Sequence, residues 1–162
     1  MSRLSRRKFF KLTSAGLIPL VVSFGVPNAF AKTHTLKVYK TPSCRCCGAW
    51  IVHMRNAGFR VQAINVTNLR AIKNKLGVIN ELQACHSAVI DGYVVEGHVP
   101  AKEVKRLLRI RPNAIGLAVP GMPVGSPGME QGDRRDPFQV ILFSSTRSSV
   151  FATYPQHNEI KV

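Results

Sequence analysis

Three of the four cysteines of this chain lie within four consecutive positions, Cys44, Cys46 and Cys47, in the segment TPSCRCCGAW. A packing role does not require such crowding, because one cysteine fills a small apolar space as well as another. The spacing therefore indicates redox or metal chemistry, and the fourth cysteine, Cys85, is a candidate to join it.

Two structural disulfides are the first interpretation, because the number of cysteines is even and disulfides are common in exported proteins. Cys46 and Cys47 are adjacent, however, and neighbouring residues rarely meet disulfide geometry with two separate partners. This interpretation is the least favoured of three.

A thiol–disulfide oxidoreductase is the second interpretation. Cys44 and Cys47 form a C-x-x-C motif at the start of a predicted helix. Exposed N–H groups there lower the pKa of a thiol, and Arg45 would add to the effect. Cys46 weakens the hypothesis, because a third thiol between the pair would scramble or over-oxidise it.

Metal binding is the third interpretation. Thiolates are soft ligands that Cu(I) prefers, whereas one tetrahedral zinc needs well-spaced pairs of cysteines. C-x-C-C together with Cys85-His86 crowds the thiols, and thiolates that bridge two or more Cu(I) ions accept that crowding. Met122 and Met129 offer thioethers that suit copper and not zinc, although packing of their loop is the alternative role.

The remaining histidines are weaker candidates. His53 shares a predicted helix face with Trp50, which favours packing over ligation. His98 follows a predicted hairpin and could reach the cluster only from its far side. His34 and His157, near the chain ends, are predicted to be solvated.

The elements that must position these residues follow the order βαβα and then ββα. Gly58, Gly77, the Asp91-Gly92 turn and Pro100 punctuate the pattern. The predicted strands are 35–39, 59–66, 87–90 and 93–96, and the predicted helices are 48–57, 68–76 and 100–110.

This α/β order resembles the thioredoxin fold in its shorter, glutaredoxin-like form. The resemblance implies that the cysteines after the first strand face the loop Gln83–His86, so that all four thiols meet. Thioredoxin-type oxidoreductases carry a proline before the third strand. Here Cys85-His86 stands at that place, which further weakens the redox hypothesis.

The tail adds a long segment from Gly116 to Pro137 that is rich in glycine and proline and has no periodicity. Long irregular loops in compact domains are usually functional or disordered. A closing hairpin is predicted over 138–143 and 150–154.

Residues 1–31 are predicted to be a cleaved export signal, with residues 32–162 as one mature domain. Arg6-Arg7, an apolar run broken by Pro19 and Gly25, and Ala29-Phe30-Ala31 are typical of the bacterial twin-arginine route. The apolar run is too short for a membrane anchor. The predicted location is therefore the periplasm, with no stable membrane anchor after cleavage.

Charge excludes little by itself. Five of the 23 basic residues and none of the eight acidic ones lie in the signal, which leaves 18 basic residues and a net charge of +10. Export argues against nucleic acid as a partner. The basic stripe Lys102, Lys105, Arg106 and Arg109 favours a solvated helix face over a docking surface for an anionic partner.

Four longer motifs are similar to the CopG-like family of exported copper-binding proteins. They are SCRCCG (43–48), CHSA (85–88), DGYVVEGHVP (91–100) and GLAVPGMPVGSPGME (116–130). The resemblance implies a role in copper handling or resistance, with copper ions and other periplasmic copper proteins as partners. It implies ligation of the metal by Cys44, Cys46, Cys47, Cys85 and His86. Arg45 stands where the family commonly has glycine. A cation there disfavours the binding of further positive ions, although it offsets the negative charge of clustered thiolates.

Overall fold

The structure is a computed structural model and describes residues 35–156. The predicted signal segment, His34 and His157 lie outside the described residues. A seven-stranded sheet with the order β2-β1-β3-β4-β5-β6-β7 organises this part of the chain. Its strands are β1 (Thr35–Lys40), β2 (Arg60–Asn65), β3 (His86–Ile90), β4 (Tyr93–Glu96), β5 (Gly116–Ala118), β6 (Phe138–Phe143) and β7 (Ser148–Tyr154), and its helices are α1 (Arg45–Asn56), α2 (Leu69–Lys75) and α3 (Ala101–Ile110).

The first half of the sheet follows the predicted order of elements. β1 is parallel to β2 and antiparallel to β3, and β3 pairs with β4 as an antiparallel hairpin. Asp91 and Gly92 make the two-residue turn with φ angles of 47° and 89°, the left-handed geometry that such turns require. The prediction of a mixed α/β fold is confirmed.

α1 begins three residues earlier than the sequence pattern predicts. Cys44 is its N-cap, and the Cys44 Sγ accepts a hydrogen bond from the Cys47 backbone N–H at 3.3 Å. A sulfur therefore takes the place of the usual hydroxyl or carboxylate cap. As a result, Cys46 and Cys47 lie inside the first helical turn instead of before it.

The buried face of α1 attaches this helix to the sheet. Trp50 and Met54 are fully buried in the main core with Leu36 and Val38 of β1. The Trp50 indole N–H donates to the Val99 carbonyl oxygen at 2.9 Å, so this buried polar atom is satisfied. The predicted packing face of α1 is confirmed, and it holds the cysteine end of the helix against the loop that follows β4.

The tail contains a strand that the sequence pattern did not predict. β5 lies parallel to β4 and antiparallel to β6. A Cβ on Gly116 would lie 1.8 Å from the Val94 carbonyl oxygen, so glycine is needed for the two strands to approach. The prediction of an irregular segment is therefore wrong for Gly116–Ala118, although most of the rest is loop. The closing hairpin is confirmed, with β7 beginning two residues before its predicted start.

The basic side of α3 is largely exposed, as predicted. The Lys102 Nζ lies 4.8 Å from the centre of the Tyr154 ring, and the Arg106 Cζ lies 3.8 Å from the centre of the Phe151 ring. These cation–π contacts tie α3 to β7. Across residues 35–156, no helix has the length and apolar character needed to cross a membrane.

Candidate metal centre

The three cysteines at the start of α1 are in two chemical states. Cys44 and Cys47 form a disulfide, and Cys46 between them is a free thiol. Cys85 is the second free thiol. One disulfide is present instead of the two that a purely structural role for four cysteines would predict.

The start of β3 brings Cys85 to the three cysteines of α1. Its Sγ lies 3.7 Å from the Cys46 Sγ and 3.6 Å from the Cys47 Sγ. The Cys44 and Cys46 sulfurs are 3.5 Å apart. All four Sγ atoms lie within 4.8 Å of one another, although Cys85 is 38 residues beyond Cys47. We call this group the thiol cluster.

Two histidines extend the thiol cluster through Cys85. The Cys85 Sγ is 3.3 Å from the His86 Nδ1 and 2.9 Å from the His98 Nε2, and these three ligand atoms also lie within 4.8 Å of one another. The His98 Nδ1 donates to the Pro127 carbonyl oxygen at 2.8 Å. The proton is therefore on Nδ1, which leaves Nε2 as an acceptor directed at the thiol.

The hairpin register predicts the contact between His98 and Cys85. The Asp91-Gly92 turn sets the hairpin register, in which Ser87 pairs with Glu96. Two further steps along the same register place His98 opposite Cys85. The histidine indeed approaches from the far side of Cys85, but it is in direct contact.

Burial keeps both imidazoles neutral. His86 is fully buried, and desolvation, followed by the nearby His98 and Lys73, lowers its pKa well below the usual value. Desolvation also lowers the pKa of His98. Neutral imidazole is the form that binds metals. The His86 Nε2 has no hydrogen-bond partner within the described part of the chain.

Burial also makes the thiol of Cys85 harder to deprotonate. Burial, followed by the neighbouring Cys46, raises the pKa of the Cys85 thiol to about 12. The thiol is therefore protonated at neutral pH, and a bound cation would have to displace its proton.

The glycine- and proline-rich loop reaches the centre through its backbone. Pro127 accepts the hydrogen bond from His98. Gly128 lies so close to α1 that a Cβ there would be 2.6 Å from the Trp50 backbone nitrogen and 2.9 Å from the Cys46 carbonyl oxygen. Met122 is 53% exposed and Met129 is partly buried. Ligation by these two methionines stays a prediction.

His53 has a structural role, as its helix face predicted. Its Nε2 accepts a hydrogen bond from the Ala101 backbone N–H at 3.1 Å, at the beginning of α3. An N-terminal N–H without an intrahelical partner is thereby satisfied.

The architecture and the centre define a class: a mixed α/β protein with a thiol–imidazole cluster between a helix start and a hairpin. Residues 82–129 match a family model described as "Protein of unknown function, DUF411". No curated protein matches the chain.

Two solved structures are similar to this chain, and both are of a copper resistance protein, copG. Form 2 is 46% identical to this chain and has a TM-score of 0.74. The match covers 76% of this chain and 100% of the chain in that structure. Form 1 is also 46% identical and has a TM-score of 0.72. The match covers 75% of this chain and 97% of the chain in that structure. The chain therefore belongs to the CopG family, as its motifs predict.

Proposed function

We propose that this chain is a periplasmic copper-handling protein that binds Cu(I) at the thiol cluster. The observation that carries the proposal is the convergence of four cysteine sulfurs within 4.8 Å. Soft thiolates at this density suit Cu(I) ions that share bridging sulfurs, whereas a single tetrahedral zinc prefers spaced ligands. The copper resistance named for the two similar structures supports the same metal.

The proposed ligands are Cys44, Cys46, Cys47, Cys85 and His86, and the contact with Cys85 adds His98. Met122 and Met129 are further soft ligands in the proposal. Because Cys44 and Cys47 form a disulfide, copper binding at full capacity requires two electrons to reduce that bond. Opening and closing it would supply or remove two ligands at once.

The first experiment is an anaerobic titration of fully reduced protein with Cu(I). We expect more than one Cu(I) per chain, with loss of free-thiol titre. Cys85→Ser should lower the affinity although Cys85 is remote in sequence, because its sulfur contacts those of Cys46 and Cys47. Binding of one Zn(II) per chain in preference to Cu(I) would contradict the proposal.

The proposal includes export and domain organisation. Residues 1–31 act as a twin-arginine signal and residues 32–162 as the mature domain. We further propose that β1 to β4 with α1 to α3 are a thioredoxin-like unit. The strand order β2-β1-β3-β4, with only β1 and β2 parallel in this set, supports it.

A periplasmic thiol–disulfide oxidoreductase is the second candidate function. The observation that favours it is the Cys44–Cys47 disulfide at the N-terminus of α1, where helix N–H groups stabilise a thiolate. In that function Cys44, the partly exposed member of the pair, attacks the substrate disulfide.

One pair of variants separates the two functions. An oxidoreductase needs only Cys44 and Cys47, whereas the copper centre also needs Cys46 and Cys85. We therefore expect Cys46→Ser and Cys85→Ser to lose copper tolerance in cells. The parent protein should reduce the disulfides of insulin only slowly. Strong reductase activity that survives both substitutions would instead favour the oxidoreductase.

A further inference from the structure

A buried carboxylate lies behind the segment that carries Cys85. Glu96 ends β4 and is fully buried. Its oxygens accept hydrogen bonds from the Ala84 backbone N–H at 2.7 Å, from the Ser87 hydroxyl at 2.5 Å and from the Lys73 ammonium group. Lys73, on α2, is itself buried and forms an ion pair with Glu96. A carboxylate with three donors and a counter-charge is fully satisfied.

Two of the three donors lie on either side of the proposed ligands. Ala84 and Ser87 flank the dipeptide Cys85-His86 on either side, so one carboxylate holds both ends of that dipeptide. Gly97, the residue after Glu96, also binds this dipeptide, because its N–H donates to the His86 carbonyl oxygen at 2.9 Å. A Cβ on Gly97 would lie 2.6 Å from the Ala84 Cβ, so the two segments are closely packed here.

We propose that Glu96 is a positioning residue that sets the distance between Cys85 and the cysteines of α1, with Lys73 as its counter-ion. Glu96 contacts no thiol and is not a ligand in this proposal. The role rests on the proposed function only for its consequence in copper binding. The placement of the thiols can be measured without metal.

Substitution of Glu96 removes hydrogen-bond acceptors from a fully buried position. Glu96→Gln keeps the shape, but its amide NH₂ would face other donors and Lys73 would lose its counter-charge. An unpaired buried cation is strongly destabilising, so this variant loses stability for a reason unrelated to the thiols. Lys73→Met/Glu96→Leu removes the charges together and also removes the acceptors of Ala84 and Ser87. Double replacement of a buried ion pair by apolar side chains is often tolerated.

The test uses two chains that each keep one pair of thiols. Cys44→Ser/Cys47→Ser keeps Cys46 and Cys85, whose sulfurs are 3.7 Å apart. Cys46→Ser/Cys85→Ser keeps Cys44 and Cys47, which form the disulfide at the N-terminus of α1. Each pair is equilibrated with glutathione, where two protein thiols and one oxidised glutathione give a protein disulfide and two reduced glutathiones. The equilibrium constant measures how closely the two thiols are held.

We expect the substitutions at Glu96 to lower the constant of the Cys46–Cys85 pair at least about tenfold, the cost of losing one buried hydrogen-bond partner. The constant of the Cys44–Cys47 pair should change less than about twofold, because Glu96 does not contact α1. The control is Glu103→Gln, which alters another buried carboxylate, bound to Tyr154 on a different part of the sheet.

Two results overturn the proposal. An unchanged Cys46–Cys85 constant in the double variant means that Glu96 does not position Cys85. An equal fall for both pairs means that Glu96 acts on stability in general. Cu(I) titration of the same variant with all four cysteines is a separate arm. Failure of the parent to bind Cu(I) contradicts the proposed function and leaves the thiol measurement valid.

Discussion

At the scale of single residues, Cys85 connects the two halves of the candidate centre. Its sulfur contacts those of Cys46 and Cys47 on one side and the imidazoles of His86 and His98 on the other. Its raised pKa follows from the same enclosure. Under the proposed function, Cu(I) has to displace the proton of this thiol, so copper affinity should rise with pH.

The acidity of Cys85 leads to a direct prediction. In protein with the Cys44–Cys47 disulfide intact, Cys46→Ser leaves Cys85 as the only free thiol of the chain. Because desolvation is the main cause of the raised pKa, the rate of alkylation by iodoacetamide should keep rising about tenfold per pH unit beyond pH 9, whereas an ordinary thiol levels off near its pKa of about 8.5. Mass spectrometry of the alkylated protein measures the rate. A plateau near pH 8.5 would contradict the assignment, and Cys85→Ser, which retains Cys46, provides the comparison.

At the scale of elements, the sequence pattern predicts what is local. The alternation in β1, the apolar face of α1 and the Asp91-Gly92 turn each depend on neighbouring residues, and all three are confirmed. β5 depends instead on pairing with β4 and β6, which lie far away in sequence. Three residues with one glycine carry too little periodicity to reveal such a strand.

The sequence predicts some parts of the candidate site and not others. Convergence of the cysteines was expected from the likeness to thioredoxin, and the hairpin register could have placed His98 beside Cys85. The buried pair Lys73–Glu96 could not have been predicted, because a lysine on an amphipathic helix is almost always exposed. Only the tertiary structure shows that its ammonium group is enclosed.

The loop after β5 gives a prediction about an element. Gly128 has a φ of 85° and lies against the backbone of α1, whereas Gly121 has a φ of 69° with open space around it. Gly121→Ala should cost only the left-handed strain of about 1 kcal/mol, and Gly128→Ala about 3 kcal/mol because its methyl group also forces the loop off the helix. Urea unfolding measures both values.

Loop displacement can be followed separately from stability. Cleavage by trypsin after Arg134 and Arg135, in the same loop, should be faster in Gly128→Ala than in Gly121→Ala under native conditions. Equal stability and equal cleavage in the two variants would show that the loop does not depend on its contact with α1.

At the scale of the whole molecule, the candidate ligands come from α1, from the beginning of β3 and from the residue that follows Gly97. They meet only when the sheet has formed. An unfolded chain therefore presents no such centre. This assembly suits an export route that carries folded proteins, which is the route that the paired arginines of the predicted signal indicate.

Export gives the prediction at this scale. Arg6→Lys/Arg7→Lys keeps the positive charge of the predicted signal but removes the pair of guanidinium groups, so a twin-arginine signal should fail and the precursor should stay inside the cell. Arg3→Lys, the same change outside the pair, is the control and should be exported normally. Immunoblots of periplasmic and cytoplasmic fractions measure the outcome, and mass spectrometry should place the mature N-terminus near Lys32. Normal periplasmic levels of the Lys-Lys variant would exclude the twin-arginine route and leave a general export signal.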